Sequence, residues 1–353
     1  MSTRRIFVGC TVSAVALLLL LVIGAVVTFR RLTTPVPLAE ASRLAAEDSV
    51  GHAVLRIDPD NPWVRQMFTE LSKYSTHETP TTEIFPIELV WSAHRLAPAS
   101  EGHMLDLSFS PRGRFFGLMT DLMLWKAGRS GEAKVSRIVY GGEGITSFPG
   151  TPLIGNVFVR GNSILWSSDL DTARRAVDLV VAREKTPPPA PPALMSLLPD
   201  SGKHTLVGVI RGEGGTAERC LALLPGTEMD LPESSLSGAD LTFQFDATSG
   251  DSAKGEIVMR FPPETAGAAI ASAAGDFSRR VASLKWGKVS LTATPRVEAS
   301  TAVIDVDAAG LSTIYARLLQ EMVSVQKSLE KAKAGVEEPP APADPNQSSS
   351  TFQ

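Results

Sequence analysis

The chain is poor in the residues that most enzymes and nucleic-acid binders depend on. Its 353 residues include 2 cysteines, 5 histidines and 3 tyrosines, and aromatic residues make up 6%. The cysteines stand at positions 10 and 220, so the chain after the N-terminal region holds one thiol and no internal disulfide. The formal net charge is −4 and no basic run is present, so the electrostatic footprint of a nucleic-acid partner is missing. The sequence has no G-x-x-x-x-G-K-[ST], no H-E-x-x-H and no G-x-S-x-G. Those absences remove the motif-bearing forms of P-loop, zinc-protease and α/β-hydrolase chemistry.

Charge is also absent from one long stretch. Ile6 to Phe29 are 24 residues without a charged side chain, closed by Arg30 and Arg31. As a helix the run would cover roughly 36 Å, more than the ~30 Å hydrocarbon core of a bilayer. A cleaved signal peptide has a shorter apolar region with its cleavage site close behind. The run is therefore expected to be an uncleaved single-pass transmembrane anchor, with the lipid bilayer as partner through residues 6–29. Arg4 and Arg5 before it nearly balance Arg30 and Arg31 after it; with the α-amino charge the count favours an extracytoplasmic body. Arg outnumbers Lys by 23 to 11 and Ala is abundant, which suits a GC-rich bacterial genome and an envelope location.

The rest of the chain is divided by a proline stretch. Five of the six residues from Pro187 to Pro192 are proline, which makes this piece extended and unsuited to a sheet interior. The pattern on its two sides corresponds. His52–Ile57 and Thr205–Ile210 read as strands. Val64, Met67, Phe68 and Leu71 follow the first at helical spacing; Ala217, Cys220, Leu221 and Leu224 follow the second, 153 positions on. Leu89, Trp91, Ala93 and Leu105, Leu107, Phe109 alternate as a hairpin, as do Leu241, Phe243, Phe245 and Ile257, Met259, Phe261. Ser110-Pro111 then predicts a helix with Phe115, Leu118, Met119 and Leu122 on one side; Pro262-Pro263 predicts one with Ala266, Ala269, Ile270 and Ala273 inward. Each half ends in a strand and a helix, Ser163–Trp166 before Ala173–Val180 and Thr301–Ile304 before Leu311–Leu318. There the offset drops to 138, because the first half has gained about 15 residues around Tyr140 to Gly155.

The expected fold class is therefore α+β: an N-terminal transmembrane helix, then two similar halves from an internal duplication, each an antiparallel sheet with helices packed on one face. The expected units are a tail and anchor at 1–31, a linker at 32–49, a first half at 50–184, a proline-rich linker at 185–200, a second half with an extended C-terminal helix at 201–334, and a disordered tail at 335–353. Leu311, Tyr315, Leu318, Met322, Val325 and Leu329 keep heptad spacing, a candidate seam for self-association or a partner helix.

Candidate chemistry is thin. Gly212-Glu213-Gly214 with Ala217 fits G-x-G-x-x-A, but a hairpin is expected next instead of a parallel strand. Asp58/Asp60, Asp169/Asp171 and Asp305/Asp307 form Asp-x-Asp pairs, each read as capping a helix that follows. The histidines lack metal-ligand spacing and read as surface or strand-edge residues; no metal site and no cofactor is expected. Cys220 reads as core. Binding often resides in loops held by a rigid scaffold, so the insertion supplies the candidate surface: Tyr140, Glu143, Ile145, Phe148 and Leu153. The expected function is a non-enzymatic binding or scaffold protein of the envelope. The alternatives are a lipid or small-molecule binder using an apolar space between sheet and helices, and a hydrolase with scattered carboxylates.

Overall fold

The structure is a computed structural model that describes residues 30, 33–44, 49–72, 85–95, 105–130, 135–149, 155–183, 193–222, 236, 238–284 and 288–313. Strands dominate it. The first half contributes β1 (Ser49–Ile57), β2 (Ile87–Arg95), β3 (Leu105–Arg112), β4 (Ser136–Tyr140), β5 (Glu143–Ser147), β6 (Asn156–Arg160) and β7 (Ser163–Ser167). The second contributes β8 (Leu206–Ile210), β9 (Asp240–Ala247), β10 (Ser252–Arg260), β11 (Ser290–Glu298) and β12 (Thr301–Ala309). Helices are few: α1 (Leu38–Leu44), α2 (Pro62–Ser72), α3 (Phe116–Ser130), α4 (Leu170–Arg183), α5 (Thr216–Ala222) and α6 (Gly267–Ser283).

The 12 strands of the described residues form one antiparallel sheet, in the order β11-β12-β10-β9-β8-β1-β2-β3-β7-β6-β5-β4. This corrects the expected architecture of two sheets. The join is β1 against β8, where Val54 stands opposite Val207. Backbone bonds from Arg56 N to Thr205 O and from Arg211 N to Val50 O, both 2.8 Å, extend it at either end. The physical reason is the edge. β1 and β8 are Val- and Leu-rich, and left apart each would present unpaired N–H and C=O groups. Pairing satisfies both and buries Val54 and Val207 with Val90 beneath Ala41 of α1, worth ~1.5–3 kcal/mol for each fully buried side chain. The strand order away from the join is the same on both sides, β1-β2-β3-β7-β6 against β8-β9-β10-β12-β11, with β5-β4 added to the first.

The helices lie on both faces, a second correction. In the first half α1 and α4 cover the face that carries Val54, Val90 and Leu165, with Ala173, Ala176 and Val177 packed on Ile145 and Phe158. In the second half α6 covers the opposite face, packing Ile270, Phe277 and Val281 on Leu241, Met259 and Ile304. The expected transmembrane helix is not found among the described residues. Among the described residues no helix is long and apolar enough to cross a membrane, and the run 6–29 lies outside them. The heptad-spaced segment lies outside them beyond Thr313.

The outer edges differ. β11 carries Pro295, Arg296 and Glu298, residues that blunt an edge against further pairing. β4 has five residues and turns Val139 outward, 72% exposed.

Candidate interaction surface

The region between β3 and β6 holds the least conventional helix of the molecule. Ser110-Pro111 does not start it. Both residues belong to β3, and the chain turns through Phe115, held in the left-handed region at φ 62°, before α3 opens at Phe116. Gly117 brings the helix against the β6–β7 turn. A Cβ there would lie 1.7 Å from Gly161 O, so only glycine permits the approach. Gly117 N donates to Asn162 Oδ1 at 3.4 Å, and Asn162 Nδ2 donates to Thr34 O at 2.9 Å. The first turn of α3 is thus tied to the stretch that follows the uncharged run.

Because Gly117 and Thr120 face inward, the large side chains face out. Leu118, Met119, Leu122, Met123 and Trp125 are all exposed, the central pair by 57% and 61%. The side of the helix on which Leu118, Met119 and Leu122 were expected together is thus turned to solvent, a correction to the expectation of helices packed on the sheet through their apolar sides. Basic side chains flank the patch: Arg114 is exposed, and the Arg129 guanidinium lies 4.3 Å from the centre of the Trp125 ring. Asp121 is the one acid in the helix sequence. Contiguous exposed apolar surface of this kind marks interaction sites.

A row of aromatics crosses the sheet on the face opposite α1. Trp91 stands opposite Phe109 on β3, and Phe109 stacks on Trp166 of β7 with ring centres 5.4 Å apart. Trp91 is 41% exposed.

The described part of the insertion is largely sheet. Tyr140 ends β4, and its hydroxyl donates to Asp178 of α4 at 3.0 Å, an interaction that raises the phenol above its ordinary value. Glu143 pairs with Arg160 at 3.1 Å. Ile145 is fully buried beneath α4, so it is core. Phe148 is half-buried, with its N–H bonded to Gly155 O at 2.7 Å. Leu153 lies outside the described residues. Three of these residues therefore share one hairpin held against α4 and β6, with Phe148 just past its end.

Sequence reasoning missed a buried polar cluster beneath α1. His52 and His94 are 3% and 1% exposed, a correction to their reading as surface residues. Ser92 Oγ lies 2.6 Å from His52 Nδ1, Ser42 Oγ of α1 lies 3.2 Å from Nε2, and Ser108 Oγ lies 3.0 Å from His94 Nε2. Burial, helped by His94, pushes His52 down to about 4, so the ring is neutral at pH 7. Both its nitrogens are engaged by serines, leaving none for an orienting carboxylate, and α1 roofs it. The pair lacks what a serine nucleophile needs. The signal was available: His52 and His94 share the alternation of Val54 and Val90.

The other motifs resolve into structure. Gly212 sits where a Cβ would meet Ala239 O at 2.1 Å, and β8 runs antiparallel to both neighbours, so the G-x-G-x-x-A stretch has no dinucleotide-fold context. Asp169 Oδ2 accepts from Thr172 N at 2.9 Å as a helix cap. Asp305 and Asp307 instead lie within β12, where they pair with Arg296 and Lys254. Cys220 sits over Gly51, half-buried. Among the described residues no group of three His, Cys, Asp or Glu side chains could hold a metal ion. A cavity of about 630 Å³ is lined by Leu197, Arg211, Glu213, Gly238, Asp240 and Pro262. It lies in the second half, away from the aromatic row. Comparison with protein families, with curated proteins and with solved structures returns no match.

Proposed function

We propose that this chain is a non-enzymatic binding protein, held at a bilayer of the bacterial envelope through its uncharged N-terminal run, whose contact surface is the outward face of α3. One observation carries the reading. α3 turns Leu118, Met119, Leu122, Met123 and Trp125 to solvent while docking on the sheet through Gly117 and Thr120. Leaving that much apolar side chain in water is unfavourable at ~25 cal/mol per Å², and covering it recovers the loss. The sequence supports membrane placement through the 24 uncharged residues from Ile6 to Phe29.

The test is capture of the tagged full chain from native membranes in mild detergent, with mass spectrometry for proteins and for small molecules. The comparison is Leu122→Glu/Met123→Glu, a pair of substitutions at exposed positions that leave the core untouched. A partner or lipid class retained by the parent and lost from the double variant supports the reading. An identical set from both proteins overturns it.

A further inference from the structure

We propose that the outward face of α3 is seated in the lipid–water interface of a bilayer, with the helix lying in the membrane plane. This rests on the reading of α3 as the contact surface and names its partner.

Position is the first argument. The uncharged run ends at Phe29, and Thr34 is five residues on. Thr34 N bonds to Arg30 O at 2.9 Å, and Thr34 O accepts from Asn162, which in turn binds the first turn of α3. Five residues span at most ~18 Å even when extended. Wherever Ile6–Phe29 enters lipid, the start of α3 lies next to that place.

Length and chemistry agree. The 15 residues of α3 make a helix of roughly 22 Å, short of the ~30 Å needed to cross. Its exposed residues are Leu, Met and Trp, with Arg114, Lys126 and Arg129 at the ends of the patch. An apolar face carrying Trp, bounded by basic residues, is the composition of helices that lie in the interface. Three cations against Asp121 alone also suit an anionic leaflet. The inward side is fixed by Gly117 against Gly161, so the helix meets the bilayer as a rigid edge of the sheet domain.

The experiment places a nitroxide at Leu122→Cys in the full chain carrying Cys10→Ser and Cys220→Ser. The protein is reconstituted in vesicles of phosphatidylcholine with a minor share of phosphatidylglycerol. Met123→Cys is the second site should the first variant fold poorly, and Ala271→Cys on the exposed side of α6 is the aqueous control. The expected result is a label on α3 reached by oxygen and shielded from a water-soluble nickel chelate, with the reverse at Ala271. A label on α3 as open to nickel as the control overturns the proposal. So does shielding from both reagents, which signals a protein cover; in that case α3 remains the contact surface and only the lipid assignment falls.

Discussion

α3 and α6 occupy the same place in the strand order of their halves, yet they are built inside out relative to each other. α6 turns Ile270, Ala273, Phe277 and Val281 into the core and leaves Ala271, Ser272, Asp276 and Arg279 in water. α3 buries Gly117 and Thr120 and turns Leu118, Met119, Leu122, Met123 and Trp125 to solvent. The platforms explain the difference. β11 and β12 are nine residues each, whereas β6 and β7 are five, roughly 30 Å against 17 Å of strand. A 15-residue helix of roughly 22 Å overhangs the shorter pair. The same helical periodicity therefore serves a core in one half and a free surface in the other.

The sharpest way to break this comparison is to truncate one large side chain on each helix. Phe277 is 2% exposed and sits among Leu241, Met259 and Ile304; Phe277→Ala is expected to cost ~3–5 kcal/mol. Leu122 is more than half exposed, and Leu122→Ala is expected to stay within ~0.5 kcal/mol. Urea unfolding of the full chain in detergent reads both. A comparable loss at Leu122 means that α3 is covered from within the chain, and the contrast disappears.

That contrast also marks the limit of what the sequence conveyed. Alternation at Leu89, Trp91, Ala93 and at Leu241, Phe243, Phe245 marked the hairpins β2–β3 and β9–β10, but in β2 the buried side is that of Val90, Ser92 and His94, and Trp91 faces out. The start of α2 is also a local matter: Trp63 N donates to Asn61 Oδ1 at 2.9 Å, and Pro62 occupies the first helical position. Helical spacing at Leu118, Met119 and Leu122 told that an apolar face exists, but not what would lie against it. The single sheet was hidden for a similar reason. Nothing local in His52–Ile57 reveals that its partner is a strand 153 residues away. At the insertion, Ile138, Val139, Tyr140 and Ile145 carry β-branched and aromatic character that favours strands, a signal the loop reading passed over; two of the proposed surface residues proved to be a buried side chain and an ion-pair partner.

A second comparison sets the faces beneath and away from α1. In the first half that face is sealed over neutral His52 and buried His94. In the second it is open and laddered by Arg296, Glu256 and Asp305. His52 titrates near 4 in the fold against 6.5 when free. Its contribution is therefore complete above pH 6.5 and lost as pH falls from 6.5 towards 4, where the unfolded chain takes up the proton first. The groups facing the ring are Ser42 from α1, Ser92 from β2 and the like charge of His94, none of which compensates a proton. The expected loss is roughly 3 kcal/mol over that window. Exposed carboxylates titrate in part of the same range, so the reading is the difference between the parent and His52→Gln in urea midpoint at pH 7 and pH 4.5. The parent should fall further. Parallel falls would place the acid sensitivity outside the sealed face.

The smallest expected effects return to the two helices and carry opposite signs. Each has a glycine inside it. At Gly117 a Cβ would press on Gly161 O at 1.7 Å and Gly161 C at 2.7 Å, both backbone atoms of a tight turn. Gly117→Ala must push α3 off the β6–β7 turn, an overpacking cost of ~1–3 kcal/mol. At Gly275 nothing lies within 4 Å of the added methyl, and Gly275→Ala should stabilise by ~0.5–1 kcal/mol through the entropy that glycine loses in a helix. Thermal melts of the two variants against the parent test the pair together. Stabilisation by both would mean that α3 is not held at its first turn, and the rigid outward presentation of Leu122 and Met123 would lose its anchor. Destabilisation by Gly117→Ala alone ties the outward face of α3 to a single glycine that its counterpart in the second half does not need.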